Sequence, residues 1–371
     1  MDQRTQSRRP LRALQLLLPL ALVLLAACNA ASFPQSTLHP QSEFTRDIDH
    51  IFRTTVWWAL LVFVLVEGAL LYIIFRFRGK PGDHEPEQIH GNTTVEIVWT
   101  VIPAVILAFI AVPTVKAIFK TYEAPTGADV LEVQVIGHQW WWEFRYPQYG
   151  LITANELHVP VGRTVTLKMT TKDVLHAFWL PQLAAKRDVF QQRATVLHFK
   201  AERAGGYTGQ CAEFCGIQHG RMAFYVVAED APEFDAYIAK MKATGTPAAV
   251  PGAATSGVTT EALGAQDPAT AAPQQPAPPA NPLVAQGQQL FLTKACIGCH
   301  SLNAQQELGI GPNLAGIATR KYIAAGWLKN TDENLAHWIR EPQKVKQGVL
   351  MQVPPMTEDE AKALVAYLRT R

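Results

Sequence analysis

The sequence predicts a multidomain membrane protein: a two-helix transmembrane hairpin, then an all-β domain, then a smaller helical domain on a long tether. Three observations carry this. Residues 56–75 (VWWALLVFVLVEGALLYIIF) and 95–119 are apolar and long enough to cross a bilayer as helices. The stretches 130–146, 156–171, 194–201 and 221–229 are short, β-branched and aromatic, with Gly and Pro between them, as in a sandwich or barrel. Residues 245–282 are Ala, Pro, Thr, Gln and Gly with almost no charge, the composition of a linker.

Taken in chain order, residues 1–28 read as an export signal. Arg4, Arg8, Arg9 and Arg12 precede the apolar LQLLLPLALVLLAAC. Its end, Leu25-Ala26-Ala27-Cys28, matches a lipobox, in which Cys28 receives lipid and becomes the mature N-terminus; the alternative is an ordinary signal with a free Cys just beyond it. The hairpin occupies 45–120. Its connecting loop carries Arg76, Arg78 and Lys80 beside the first span, so the loop is cytoplasmic and everything after about residue 120 is extracytoplasmic. The export signal agrees independently. Glu67 sits mid-span, where an ionisable group is costly and should face protein or water. Thr93-x-x-Glu96 reads as a capping box at the start of the second helix.

The β domain spans 121–243 and closes with a short helix over 232–242. The linker spans 244–282, and the helical domain 283–371. At 371 residues the chain is too long for one ordinary domain, and a formal charge of +2 gives nucleic acid no electrostatic footing. Five cysteines, at 28, 211, 215, 296 and 299, make no disulfide framework.

Four of those cysteines lie in two motifs. GQCAEFCGIQHGRM (209–222) sets Cys211, Cys215, His219 and Met222 close together. Zinc accepts two Cys and two His, with His176 in VLHAFWLP completing the set. A structural zinc site has no use for Met222, however, whereas thiolate, imidazole and a weak thioether are what copper electron-transfer sites use. Two thiolates at this spacing can bridge two coppers. Ligand softness favours copper, with zinc the alternative. In the helical domain Cys296-Ile297-Gly298-Cys299-His300 is C-x-x-C-H, which lets two thiols add to one haem while the His ligates its iron. Gly287 and Phe291 share a face upstream, and a C-terminal helix carries Leu364 and Tyr367.

The segments GQCAEFCGIQHGRM, DVLHAFWLP (173–181) and GHQWWWEFRY (137–146) closely resemble the binuclear copper domain of cytochrome c oxidase subunit II, and VEIVWTVIP (95–103) resembles that family's second transmembrane helix. The resemblance covers roughly 45–243. The C-terminal domain is similar to a class I cytochrome c, and the two together resemble the caa3-type oxidases. The resemblance implies a cupredoxin-like barrel and an all-α cytochrome domain. It implies that His176, Cys211, Cys215, His219 and Met222 ligate copper, with Glu213 lending its carbonyl, and that the Glu213 side chain reaches a magnesium site shared with subunit I. Trp140 matches the residue through which electrons enter from cytochrome c, and Glu96 a carboxylate near a proton-channel mouth. For the haem iron's second axial ligand, KQGVLM resembles the family's Lys-Pro-Gly-x-x-Met run and nominates Met351 over Met356, which precedes the Thr357-x-x-Glu360 cap. One departure is Gln191-Gln192 where the family usually has Pro-Gly.

The implied function is electron input to a proton-translocating oxidase of a bacterial plasma membrane. Cytochrome c or an upstream respiratory complex is the donor, oxidases' subunits I and III are the partners, and covalent haem c and a copper pair are the cofactors. The chain itself supplies no oxygen-reducing site. A copper-bearing subunit of a nitric oxide reductase and a non-catalytic metal module are the rivals.

Overall fold

The computed structural model describes residues 33–79, 82, 84, 88, 90–244 and 281–371. The export signal with Cys28, part of the loop between the membrane helices and nearly all of the linker lie outside the described residues. The chain divides into two compact units. One holds the helical hairpin together with residues 181–184, and the other holds the rest.

In the first unit α1 runs Glu43–Arg76 and α2 Thr93–Tyr122. Both exceed the apolar runs, because caps and polar turns extend them. Ser42 caps α1: its hydroxyl accepts from the Thr45 amide at 3.1 Å and donates to the Leu183 carbonyl at 2.7 Å. The N-cap of α2 is Asn92, not Thr93. The Asn92 side chain accepts from the Val95 amide (3.1 Å), and Glu96 accepts from the Asn92 amide at 3.2 Å. Asn is the stronger cap and displaces the box by one residue, with Glu96 reaching one position further back. No residue of α2 is buried, as a lipid-facing helix allows. At the other end Lys120 meets Glu43 (2.9 Å) and Asp47 (2.6 Å), tying the two helices together.

The second unit opens with two five-stranded sheets. One is ordered β3 (Leu151–Ala154), β2 (Trp141–Tyr146), β1 (Leu131–His138), β5 (Thr164–Thr171) and β8 (Thr195–Lys200). The other is β4 (Glu156–Pro160), β10 (Ala223–Glu229), β9 (Gly205–Cys211), β6 (His176–Trp179) and β7 (Lys186–Val189). The pairs β1–β5 and β4–β10 are parallel, and the rest are antiparallel. Aromatic side chains fill the space between the sheets. Phe178 stacks on Phe224 at 4.1 Å, and Trp142 meets both edge-on at 5.3 and 5.8 Å. In β10 the buried residues Phe224, Val226 and Ala228 alternate with half-buried ones, the period-two pattern of a half-covered strand.

Two of the stretches expected as single strands are each two strands. Residues 156–171 break at Gly162, which turns with φ +76°. Residues 130–146 fold back at Gln139-Trp140, where no Gly or Pro marks a turn. Helix α3 (Ala231–Ala243) covers one side of the domain. Its Tyr237 stacks on His158 at 3.7 Å, and each nitrogen of that imidazole lies 3.1 Å from a carboxylate, Glu229 and Glu156.

The helical domain is built on α4 (Pro282–Thr293), α5 (Asp332–Arg340), α6 (Pro342–Val345) and α7 (Glu358–Leu368). The expected cap Thr357–Glu360 starts α7. Helices α4 and α7 cross closely, with Phe291 and Tyr367 at 5.8 Å and a core of Ile317, Ile323, Leu335, Leu364 and Leu368 beside them. A Cβ on Gly287 would lie 1.9 Å from the Ala363 carbonyl oxygen, so only glycine permits the crossing. A linker of this composition predicts a tethered domain; the helical domain instead lies against the sandwich, with the Ile152 amide donating to the Ala304 carbonyl.

Replacing Gly287 by Ala should therefore force α4 off α7 and destabilise the helical domain by about 1–3 kcal/mol. Its unfolding, followed by helical circular dichroism or haem absorbance, should show a lower midpoint. A second expectation concerns His158. Burial pulls its pKa down, but the hydrogen bonds and charges of Glu156 and Glu229 outweigh burial and raise it above the ordinary value. A raised folded value gives stability that is complete below about pH 6.5 and is lost as pH rises through the folded pKa. The stability difference between wild type and His158→Gln should therefore be largest at acid pH, about 1–3 kcal/mol, and shrink above neutrality in thermal melts across pH.

Candidate metal and haem centres

The copper-type donors converge at one end of the sandwich. Strand β9 ends on Cys211, the following loop delivers Cys215, a single helical turn carries His219, and Met222 sits just before β10. His176 opens β6 beside them. Ligand atoms of His176, Cys211 and Cys215 lie within 4.8 Å of one another. The two thiols are 3.7 Å apart. Cys211 Sγ is 3.8 Å from His176 Nδ1 and 3.3 Å from the Glu213 carbonyl oxygen, while Cys215 Sγ is 3.7 Å from His219 Nδ1 and 3.8 Å from Met222 Sδ. The donors thus fall into two groups, one on each side of a shared thiol pair. The two thiols, the two imidazoles and the thioether are donors of the soft to borderline class, which fits copper, and the Glu213 carbonyl adds one harder oxygen. Cys211, Cys215, Met222 and His176 are all buried, and His219 is half-buried at the edge of the cluster.

Surrounding groups aim these ligands. Asp173 Oδ1 lies 2.8 Å from His176 Nε2, so the ring presents Nδ1 to the thiols. The same carboxylate accepts from the Gln139 amide at 2.6 Å and the Val174 amide at 2.7 Å. Burial raises its pKa, but these bonds and the His176 ring outweigh that and hold it below the usual range. Gly137 makes room for the imidazole, since a Cβ there would lie 2.9 Å from His176 Cδ2. The Cys215 carbonyl accepts from the Gln139 side-chain amide at 2.8 Å and from the Trp140 indole at 3.0 Å. Gln191 donates to the Asp173 carbonyl, so the loop that departs from Pro-Gly reaches the segment orienting His176. Between the thiols, the hydrogen bond from Cys215 lowers the pKa of Cys211, and the same contact raises that of Cys215: the first proton leaves easily and the second is held.

In the helical domain Cys296 starts a short helical turn, Cys299 ends it, and the His300 amide returns to the Cys296 carbonyl at 3.0 Å. The thiols of Cys296 and Cys299 are free and half-buried to exposed. His300 Nδ1 is 2.8 Å from the Pro312 carbonyl; donating there fixes the tautomer and leaves Nε2 as the ligating atom. Burial holds the His300 pKa below its ordinary value, which favours the neutral ring an iron needs. These residues fit covalent haem. Met351 is half-buried in the 346–357 loop, its carbonyl accepting from Gln343 at 3.1 Å, whereas Met356 packs against the helical core. Glu96, in the other unit, belongs to neither centre.

Sequence reasoning passed over Asp173, Gln139 and the Pro312 carbonyl. Asp173 was within reach, since it stands in DVLH three residues before His176; a backbone carbonyl leaves no trace in side-chain pattern.

Three family profiles match in succession. Residues 31–117 match the cytochrome c oxidase subunit II transmembrane domain, 150–229 its periplasmic domain, and 284–371 cytochrome c. Cytochrome c oxidase subunit 2 of Alkalihalophilus pseudofirmus is 35% identical over 316 residues, 84% of this chain and 83% of that protein. The Bacillus subtilis protein of the same name is 30% identical over 378 residues, 95% of this chain and 96% of that protein. A crystal structure of the periplasmic domain of subunit II of cytochrome oxidase from Bradyrhizobium japonicum has 29% sequence identity and a TM-score of 0.30, covering 32% of this chain and 95% of that one. The subunit II match implies copper in the sandwich and the cytochrome c match haem in the helical domain, on a membrane protein whose sandwich is extracytoplasmic. Covering 83% and 96% of these two relatives at 30% identity or more, the chain belongs to the cytochrome c oxidase subunit 2 family.

Proposed function

We propose that this chain is the electron-input subunit of a proton-translocating cytochrome c oxidase in a bacterial plasma membrane, with subunits I and III as neighbours. Electrons arrive from cytochrome c or an upstream respiratory complex at a covalent haem c, go on to a binuclear copper centre, and leave for subunit I, where oxygen is reduced to water. The single observation that carries this reading is the division of His176, Glu213 carbonyl, His219 and Met222 into two donor groups around the Cys211–Cys215 pair. One zinc ion would need no such duplication.

When bound, a copper pair and a haem each take up and release single electrons. The chain's own residues hold those groups rigid and dry, so that little rearranges when charge moves. Cys211 and Cys215 would hold both coppers through their thiolates, His176 and His219 would each offer Nδ1, and Met222 and the Glu213 carbonyl would complete the donor set. Cys296 and Cys299 would anchor a haem through thioethers, and His300 and Met351 would ligate its iron. Trp140, whose indole touches the metal loop at Cys215, is the entry point for electrons from a separate donor. The Glu213 side chain is assigned to magnesium at the boundary with subunit I, Glu96 to a proton-path entrance, and Cys28 to a lipid anchor.

Changing either Cys211 or Cys215 to Ser should abolish the two-copper electronic spectrum and leave haem absorption intact; a normal two-copper signal in either variant would overturn the assignment. Met351→Ala should remove the near-infrared sulfur-to-iron band of the oxidised haem, and Met356→Ala should keep it. The opposite pattern would move the axial ligand to Met356.

A further inference from the structure

Lys346 is almost wholly buried, at 2% exposure. An ammonium stem is rarely taken out of water unless its head group finds partners. Here Nζ donates to the Arg221 carbonyl at 2.8 Å, in the sandwich, and to the Ala324 carbonyl at 3.1 Å, in the helical domain. The surrounding contacts join residues 218–223 of the sandwich to two stretches of the helical domain, 324–327 and 345–348. Gln218 donates to the Gln347 carbonyl, Arg221 donates to the Val345 carbonyl at 2.9 Å, and the Arg221 guanidinium lies 4.5 Å from the centre of the Trp327 ring. The Ala223 amide donates to the Ala325 carbonyl at 3.0 Å, and a Cβ on Gly326 would sit 2.8 Å from the Cβ of Ala223. One side of this seam, 218–223, contains His219 and Met222. The other, 345–348, leads within a few residues to Met351.

We propose that Lys346 is the positioning residue that seats the haem domain on the copper-ligand loop and sets the separation between the two centres. The proposal rests on the copper and haem assignments above. The step it serves moves one electron from ferrous haem iron to the oxidised copper pair; no bond is made or broken and no proton moves. Such transfer falls steeply with distance, and sites held loosely by even an ångström lose function. Lys346 acts through backbone carbonyls on both sides of the seam, so it fixes the docking without touching either metal.

The test uses the purified oxidase complex. In Lys346→Met the stem keeps its packing and the two carbonyls lose their donor. Single-turnover electron transfer from haem c to copper should slow tenfold or more while both absorption bands and both reduction potentials stay at wild-type values, and Lys346→Gln should recover part of the rate. Hydrogen exchange at the Ala223 and Lys321 amides, which cross the seam to Ala325 and Glu156, should quicken at least tenfold. Wild-type rate and exchange in Lys346→Met, with both bands present, would overturn the proposal. Should Lys346→Met lack either band, the half-exposed Trp327→Ala decides: slowed transfer supports the seam and an unchanged rate overturns it. A wild-type complex with no two-copper band would instead sink the copper assignment itself, so the two failures are told apart.

Discussion

The Cys215 carbonyl accepts hydrogen bonds from Gln139 and Trp140, two neighbours in a turn more than seventy positions earlier in the chain. The loop closes on itself through the Cys211 amide, which donates to the Met222 carbonyl at 2.9 Å, but the stretch between Cys211 and Gly216 takes its support from outside. The turn between β1 and β2 supplies that support at Cys215. The Gln139 amide donates in turn to Asp173, and Asp173 faces His176, so one turn braces both the loop and the ligand that comes from β6. Loosening it would disturb both donor groups together, although it holds none of the donors itself.

The rest of the sandwich is arranged to support that turn. Trp142 leaves it directly into the aromatic core against Phe178 and Phe224, so the first residues past the turn are locked by packing rather than by hydrogen bonds alone. Gly137 stands just before it and leaves space for His176. The copper-type site is thus continuous with the hydrophobic core: strand residues alternate between filling the inter-sheet space and reaching the metal end.

What could be read from the sequence was local. The two spans, the donors within 209–222 and the C-x-x-C-H motif are each set by spacing over a few residues, and in the fold His176, His219 and Met222 gather around the Cys211–Cys215 pair. The Gln139-Trp140 turn was illegible because it lacks Gly and Pro and is stabilised by Asp173 and Cys215, which are 34 and 76 positions away. The shift of the α2 cap from Thr93 to Asn92 reflects a competition between two good caps that a motif does not rank. Docking of the helical domain was hidden for a different reason. Linker composition gives reach, whereas the destination is written in scattered residues such as Glu156, Arg221 and Lys346, none of which stands out alone.

The close crossing of α4 and α7 has a consequence for how the protein is made. Helix α4 leads directly into Cys296 and Cys299, yet its main packing partner, α7, is synthesised some seventy residues later. A ribosome or export channel delivering the chain from its N-terminus therefore releases the strands of the sandwich first, while the C-x-x-C-H segment still lacks the helix that packs beside it. That segment therefore stays pliable until α7 arrives to pack over it, so the order of synthesis sets the order in which the helical domain can close.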